Sequence, residues 1–163
     1  MRGDGTAMIE SDLRGSIVAA IDAAGYRVND PGGQLAIGVA VPWRDDILGG
    51  SIQVEVANSR LLVEVFSITA YGPQPTASPH VAQLKSLLAD LTSGIAPCEY
   101  HLNPNLGVPA AMLEVVFEPG VDIDQLVAEV MAVLSELLED YGARMPAFVG
   151  ILEGGTTAGE SSS

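Results

Sequence analysis

Positive charge is what this chain has least of. Seven Lys and Arg stand against 21 Asp and Glu, a formal net charge of −14, and Lys85 is the single lysine. Nucleic acid is bound by neutralising phosphates with Lys and Arg, so this balance argues against it. An anionic membrane surface would repel the chain for the same reason. The charge fits plain solubility or a basic partner. Cysteine is nearly absent: Cys98 stands alone, which excludes an internal disulfide. Two histidines leave no material for a multi-histidine metal centre. No apolar run approaches the roughly 18 residues a membrane helix needs. The opening Met1-Arg2-Gly3-Asp4-Gly5 lacks the basic-then-apolar layout of a secretory signal, so a cytoplasmic protein is expected.

What is present is core material. The chain has 163 residues, 48% of them hydrophobic, which suits one domain and excludes a wholly disordered protein. Residues 1–7 read as a flexible leader, 8–150 as the domain and 151–163 as a disordered tail, the last lacking large apolar anchors.

Hydrophobic periodicity gives the elements. A first helix is expected from Met8 to Ala24, with Ile9, Leu13, Ile17 and Ile21 as its stripe. Glu10 and Arg14 sit four apart and can pair. Gly25 suits the left-handed residue that closes a helix. Leu35, Ile37, Val39 and Val41 then alternate as a strand that Pro42 stops or whose end it places at an edge, and Trp43 to Gly50 reads as a loop. A hairpin turning at Asn58-Ser59 follows. It would pair Val56 with Leu61, Val54 with Val63 and Ile52 with Val65, sending Gln53, Glu55 and Glu64 to the other face. Phe66 and Ile68 make that second face partly apolar.

After a loop over Tyr71 to Ala77, Ser78 and Pro79 mark a helix start. That helix is expected to reach about Thr92, with Gly94 closing it and Val81, Leu84, Leu88 and Leu91 as its apolar seam. Two strands follow, around Cys98-Tyr100-Leu102 and Ala111-Leu113-Val115-Phe117, joined by a turn-rich link over Asn103 to Pro109. A third helix runs from about Asp122 to Tyr141 and stops at Gly142; Met145 to Leu152 would pack back as a short strand or coil. The expected fold class is α+β: a two-layer sandwich, a five-stranded antiparallel sheet with three helices in the order αβββαββα.

Chemical signatures are few. No glycine-rich phosphate loop precedes Lys85, and Gly3 and Gly5 lack the context of a dinucleotide fingerprint. Cys98 and His101 are three apart in a strand, so they point to opposite faces and make a poor metal pair. Cys98 then reads as a small core residue and His101 as an outward one. His80 beside Ser78 is read as a first-turn residue rather than a catalytic base. The carboxylate pairs Asp45/Asp46, Asp122/Asp124 and Glu139/Asp140 show no convergence on one cleft. Asp122 and Asp124 suit a helix N-terminus, and Glu139 and Asp140 look like solvated charge. The second helix carries only Lys85 and Asp90 as formal charges between Pro79 and Ser93. One apolar stripe needs only the sheet beneath it, whereas so uncharged a helix would also suit a partner subunit.

Taken together, the element order, the small size and the acidic balance resemble the type III secretion chaperone-like fold, and within it the YbjN-type branch, over about residues 8–142. The stretches that carry the likeness are the helix ending at Ala24-Gly25-Tyr26, the hairpin from Ser51 to Ile68, the helix segment Leu84 to Leu91 and the hairpin from Cys98 to Phe117. The resemblance implies a non-enzymatic module, chaperone-like or regulatory, that binds a protein or peptide client without a cofactor. It also implies a homodimer through the second helix, which assigns Val81, Leu84, Leu88 and Leu91 to the contact. A client would lie along apolar surface or add to a free sheet edge. Two alternatives stand beside this: a small enzyme built from distant carboxylates, and an acidic, immunity-type partner of a basic protein.

Overall fold

The structure is a computed structural model that describes residues 9–31, 36–44, 46–67, 79–95, 98–102, 108–118 and 120–154. Its elements are α1 (Glu10–Ala23), β1 (Arg27–Asn29), β2 (Ile37–Trp43), β3 (Asp46–Glu55), β4 (Arg60–Ser67), α2 (Pro79–Asp90), β5 (Glu99–Leu102), β6 (Pro109–Val116) and α3 (Ile123–Gly154). The expected leader, Leu35, Asp45, Ile68, the loop 71–77, the Ser78 cap, the link 103–107 and the tail beyond 154 lie outside the described residues.

The α+β class and the element order hold, with one addition. Among the described residues the sheet has six strands in the order β1-β2-β3-β4-β6-β5, every neighbour pair antiparallel. The extra strand is β1. Its three residues hold a single apolar side chain, Val28, so no alternation announces it.

Pairing register separates the two faces. Ile37, Ile52, Val63 and Leu113 stand in one row across β2, β3, β4 and β6. Val28, Val39, Val65, Ala111 and Tyr100 belong to the next row. These side chains meet Leu13, Ile17 and Ile21 of α1, Leu84 and Leu88 of α2, and Leu126, Val130, Leu134 and Leu137 of α3 in one core cluster. All three helices therefore cover one face of the sheet. No helix among the described residues is long and apolar enough to cross a membrane.

Several local details differ from the expectation. Ile9 precedes α1 and is exposed rather than part of the stripe. Arg14 is buried instead, paired with Asp30 and more distantly with Glu10 at 3.8 Å. Gly25 does close α1, at φ +87°, with Tyr26 N–H donating back to Ile21 O and Gly25 N–H to Asp22 O. Pro42 does not stop its strand but lies beyond the residues that pair with β1, at the edge position that is the other expectation, and Asp46 to Gly50 are strand rather than loop. Trp43 pairs with Asp46 across a tight turn, with Arg44 at φ 57°, and β3 runs through both glycines.

The β3–β4 hairpin is shifted by two residues from the expected register. Val54 pairs with Leu61, Ile52 with Val63 and Gly50 with Val65. Val56 to Asn58 form a 3-10 turn, and Ser59, at φ 54°, supplies the left-handed residue. Alternation has period two, so a slip of two keeps every side chain on its face. The turn and the Arg60 contacts then fix the choice: Arg60 bonds Glu55 at 2.7 Å and Glu114 at 3.0 Å.

Helix α3 is 32 residues long and passes through both Gly142 and Pro146. The stop expected at Gly142 and the strand or coil at Met145 to Leu152 are both corrected, and the tail boundary expected at 151 falls within the helix. Pro146 has no N–H to donate to the carbonyl four residues back, a cost of about 3 kcal/mol in a helix interior. Tyr141, Met145, Phe148 and Ile151 continue the buried stripe, and each buried large side chain returns roughly 1.5–3 kcal/mol. Packing therefore decides against the local breakers. Gly142 serves this geometry: any side chain there would overlap the Trp43 indole.

Candidate functional site

The seam of α2 faces inward. Leu84, Leu88 and Leu91 are 0%, 2% and 5% exposed and belong to the chain's own core. Val81 lies on the same helix, its side chain outside the described set. The outward positions are Ala82, Gln83, Lys85, Ser86, Ala89 and Asp90, small or polar throughout. One stripe lying on α3 and the sheet edge therefore accounts for the pattern, and another copy reaches these leucines only if α2 lifts away.

Past Asp90 the helix widens into a π turn over Leu91–Ile95. This turn carries Thr92 to the outer edge of β5. Tyr100 N–H donates to Thr92 Oγ1 at 2.8 Å, and the same hydroxyl donates to Tyr100 O at 3.0 Å. These are backbone groups that an edge strand otherwise offers to another strand. One threonine thus closes the middle of the β5 edge. Among the described residues no side chain does this for β1, the opposite edge.

Beside β5 lies a polar cluster that sequence reasoning missed. Tyr100 donates its hydroxyl to Asp140 at 2.6 Å, and Arg144 donates to both oxygens of the same carboxylate at 2.8 and 3.2 Å. The Arg144 guanidinium also sits 5.9 Å from the Tyr100 ring centroid. Asp140 is thus an anchored group, not the solvated charge expected. Burial alone would raise its pKa, but the Arg144 and Tyr100 hydrogen bonds overcome this and hold the carboxyl below its ordinary value. Burial, with the Asp140 hydrogen bond, pushes the Tyr100 phenol well up. Cys98 is buried as expected, and loss of solvent, reinforced by the charge of Asp140, pushes its thiol up to about 12. Such a thiol is a poor nucleophile. This cluster holds α3 to the sheet edge and lacks the features of a reactive centre.

The remaining residues singled out by sequence do not converge among the described residues, and Asp45 lies outside them. His101 is on the opposite face from Cys98, with Nε2 2.8 Å from Glu64 Oε2. Asp122 accepts from Gln125 N–H at 3.2 Å, which makes it the cap of α3. His80 lies in the first turn of α2, its side chain outside the described set. Among the described residues no three His, Cys, Asp or Glu gather as a metal site.

The helix-free face of the sheet is where surface features do gather. Its central row runs Arg27, Ala40, Gly49, Phe66, Ala110 and His101 from β1 to β5. The neighbouring row begins Asn29, Gly38, Ser51, Glu64 and Met112. Small residues on β2 and β3 leave an open trough of about 470 Å³, floored by Gly38, Ala40 and Gly49 and bounded by Phe66 on one side and Arg27 and Asn29 on the other. Apolar Ile47 and Val116 stay exposed on the same face, at 42% and 65%. Sequence reading marked Phe66 as making this face partly apolar, but the trough itself appears only once the strands are in register.

No protein-family model and no curated protein matches the chain. A solved structure with a similar fold is the crystal structure of the ExsC–ExsE complex. One of its chains superposes with a TM-score of 0.51 at 12% sequence identity, covering 85% of this chain and 96% of that one. At that identity the likeness is one of fold.

Proposed function

We propose that this chain is a non-enzymatic, chaperone-like module that binds an extended polypeptide client, works in the cytoplasm and belongs with the YbjN-type branch its sequence resembles. The observation that carries the reading is the fold likeness over nearly the whole of both chains to a protein solved as a complex with another. Fold alone does not fix function, so the surface must agree with it. It offers a helix-free sheet face with an apolar trough, and one edge strand, β1, without the threonine closure of β5. Of the ionisable groups singled out, Asp122 caps α3, and His101 and Asp140 sit in contacts with Glu64 and Arg144.

A homodimer through α2 belongs to the proposal in altered form. The outward side of α2 carries only Lys85 and Asp90 as charges, so a second copy can approach without stripping water from many ions. Leu84, Leu88 and Leu91 would then support the contact from beneath rather than form it.

Affinity capture from native lysate with mass spectrometry, at low and high salt, tests the binding reading. A polypeptide retained at both salts is the expected result. Retention only at low salt favours the acidic partner of a basic protein, because exposed charge pairs are screened. No retained polypeptide at either salt overturns the proposal. Sedimentation tests the dimer: a monomer at micromolar concentration removes it.

A further inference from the structure

The trough on the helix-free face carries a more specific reading, one that rests on the binding function proposed above. Cations are scarce in this chain, and three of the six described are engaged. Arg14 pairs with Asp30 and Glu10, Arg60 with Glu55 and Glu114, and Arg144 with Asp140. Arg27, Arg44 and Lys85 make no ion pair among the described residues, and Arg27 lines the trough. Among the described residues Arg27 has no carboxylate partner, so its guanidinium is available to one from outside. Asn29, two residues along the same strand and on the same face, adds an amide at the trough's rim.

The trough's floor is the half-buried Gly38 and Ala40 with the buried Gly49, and Phe66 lines its far side. A flat ring can lie on such a floor and meet Phe66 in an offset or edge-to-face contact. The trough is open to one side rather than closed, so its occupant lies against the sheet face. That describes an extended segment better than a compact small molecule. We propose that this trough receives an aromatic side chain of a client polypeptide whose adjacent carboxylate is taken by Arg27 and Asn29. The favoured client segment is therefore aromatic and acidic. A basic segment meets Arg27 unfavourably at this position, whatever the net charge of the whole chain.

The test uses the full chain, labelled with ¹⁵N, and three short capped peptides that differ at one position each. The first carries Phe-Asp, the second Phe-Asn and the third Ala-Asp, all within the same Gly/Ser flanks. The Phe-Asp peptide is expected to shift the amides of Arg27, Gly38, Gly49 and Phe66, and to bind at least about three-fold more tightly than the other two, a charged hydrogen bond being the stronger kind. R27A should bring Phe-Asp down to the level of Phe-Asn. A40F, which fills the trough, should abolish the shifts from all three. R27A is an exposed edge substitution, so the test stands even where A40F fails to fold. Equal affinity for Phe-Asp and Phe-Asn, or shifts confined to other surfaces, overturns the proposal. A wild-type dimer that A40F converts to monomer also overturns it, because a second copy then fills the trough. A chain that retains a polypeptide client yet shows no shift here loses this assignment and keeps the binding function. One that retains no polypeptide at all loses both.

Discussion

Tyr141 is the residue on which the joint between helix and sheet layers can be tested most sharply. Its ring is fully buried and packs against Tyr100 and Phe148, with ring centroids 6.3 and 5.6 Å away. Its hydroxyl donates to Pro109 O at 2.7 Å and accepts from Ser67 N–H at 3.2 Å. It therefore satisfies the start of β6 and the end of β4 at once. Tyr141→Phe keeps the ring and removes only the oxygen, leaving an N–H and a C=O without that partner in the core. Each such group costs about 1–3 kcal/mol, and the longer bond belongs at the low end, so a total of about 2–4 kcal/mol is expected. For a chain of this size that lowers Tm by roughly 4–16 °C. Tyr100→Phe is the control. It also loses one hydroxyl, but Asp140 keeps both bonds from Arg144, so about 0.5–1.5 kcal/mol is expected. Urea unfolding followed by far-UV circular dichroism, with unchanged m-value, measures both. A cost for Tyr141→Phe below that of Tyr100→Phe refutes the account of this joint.

Gly142→Ala should destabilise despite alanine's helix propensity, because its methyl overlaps the Trp43 indole. Overpacking of about 1–3 kcal/mol outweighs a propensity gain of about 1, and a shift in the fluorescence of the single tryptophan would report the displaced ring. The Cys98 thiol, pushed up to about 12 by burial and then by Asp140, should react slowly with Ellman's reagent when folded and fully in denaturant; a fast native reaction contradicts its burial. Asp140→Asn should destabilise at neutral pH. Because the folded pKa of Asp140 lies below its unfolded value, the stability it adds is present above about pH 4 and lost as pH falls through the folded pKa. The gap between variant and wild type should therefore close in acid, and a gap that is constant with pH would falsify the assignment. Thr92→Val should unseal the β5 edge and promote self-association in light scattering, while an unchanged, monodisperse profile argues that the edge needs no closure.

Periodicity made most of this fold legible and also set the boundary of what could be read. Leu13, Ile17 and Ile21, or Ile37, Val39 and Val41, declare their faces because burial repeats with the backbone period. The same regularity hides a slip of two in the β3–β4 hairpin, which only Ser59 and Arg60 decide. A breaker misled where packing overrode it: Gly142, expected to end the helix, lies within α3. The candidate site was less legible still. Asp140 looked solvated because its partner Tyr100 is 40 residues away in sequence. The trough is formed by side chains that are not there, and Gly49, read as part of a loop, shows its role only when β3 is paired between β2 and β4.

Two glycines on this sheet show why the trough differs from an ordinary gap in a strand. At Gly50, on the helix side, an added Cβ would come within 3.0 Å of Glu64 O and 3.9 Å of Leu134 Cδ1, so the close approach of β4 and α3 leaves it little room. At Gly38, on the open side, an added Cβ would meet nothing nearer than 3.7 Å, and its φ is not in the left-handed region. The fold makes no such demand there. Glycine inside a strand costs about 0.5–1 kcal/mol relative to a residue with a side chain, and a β-branched residue would suit an extended, half-exposed position. The chain carries that cost at a point beside Asn29 where a side chain would narrow the trough. A face selected only for solubility has no use for such a vacancy. A face that receives a ring from another polypeptide requires it, and the comparison of Phe-Asp with Phe-Asn and Ala-Asp peptides separates the two.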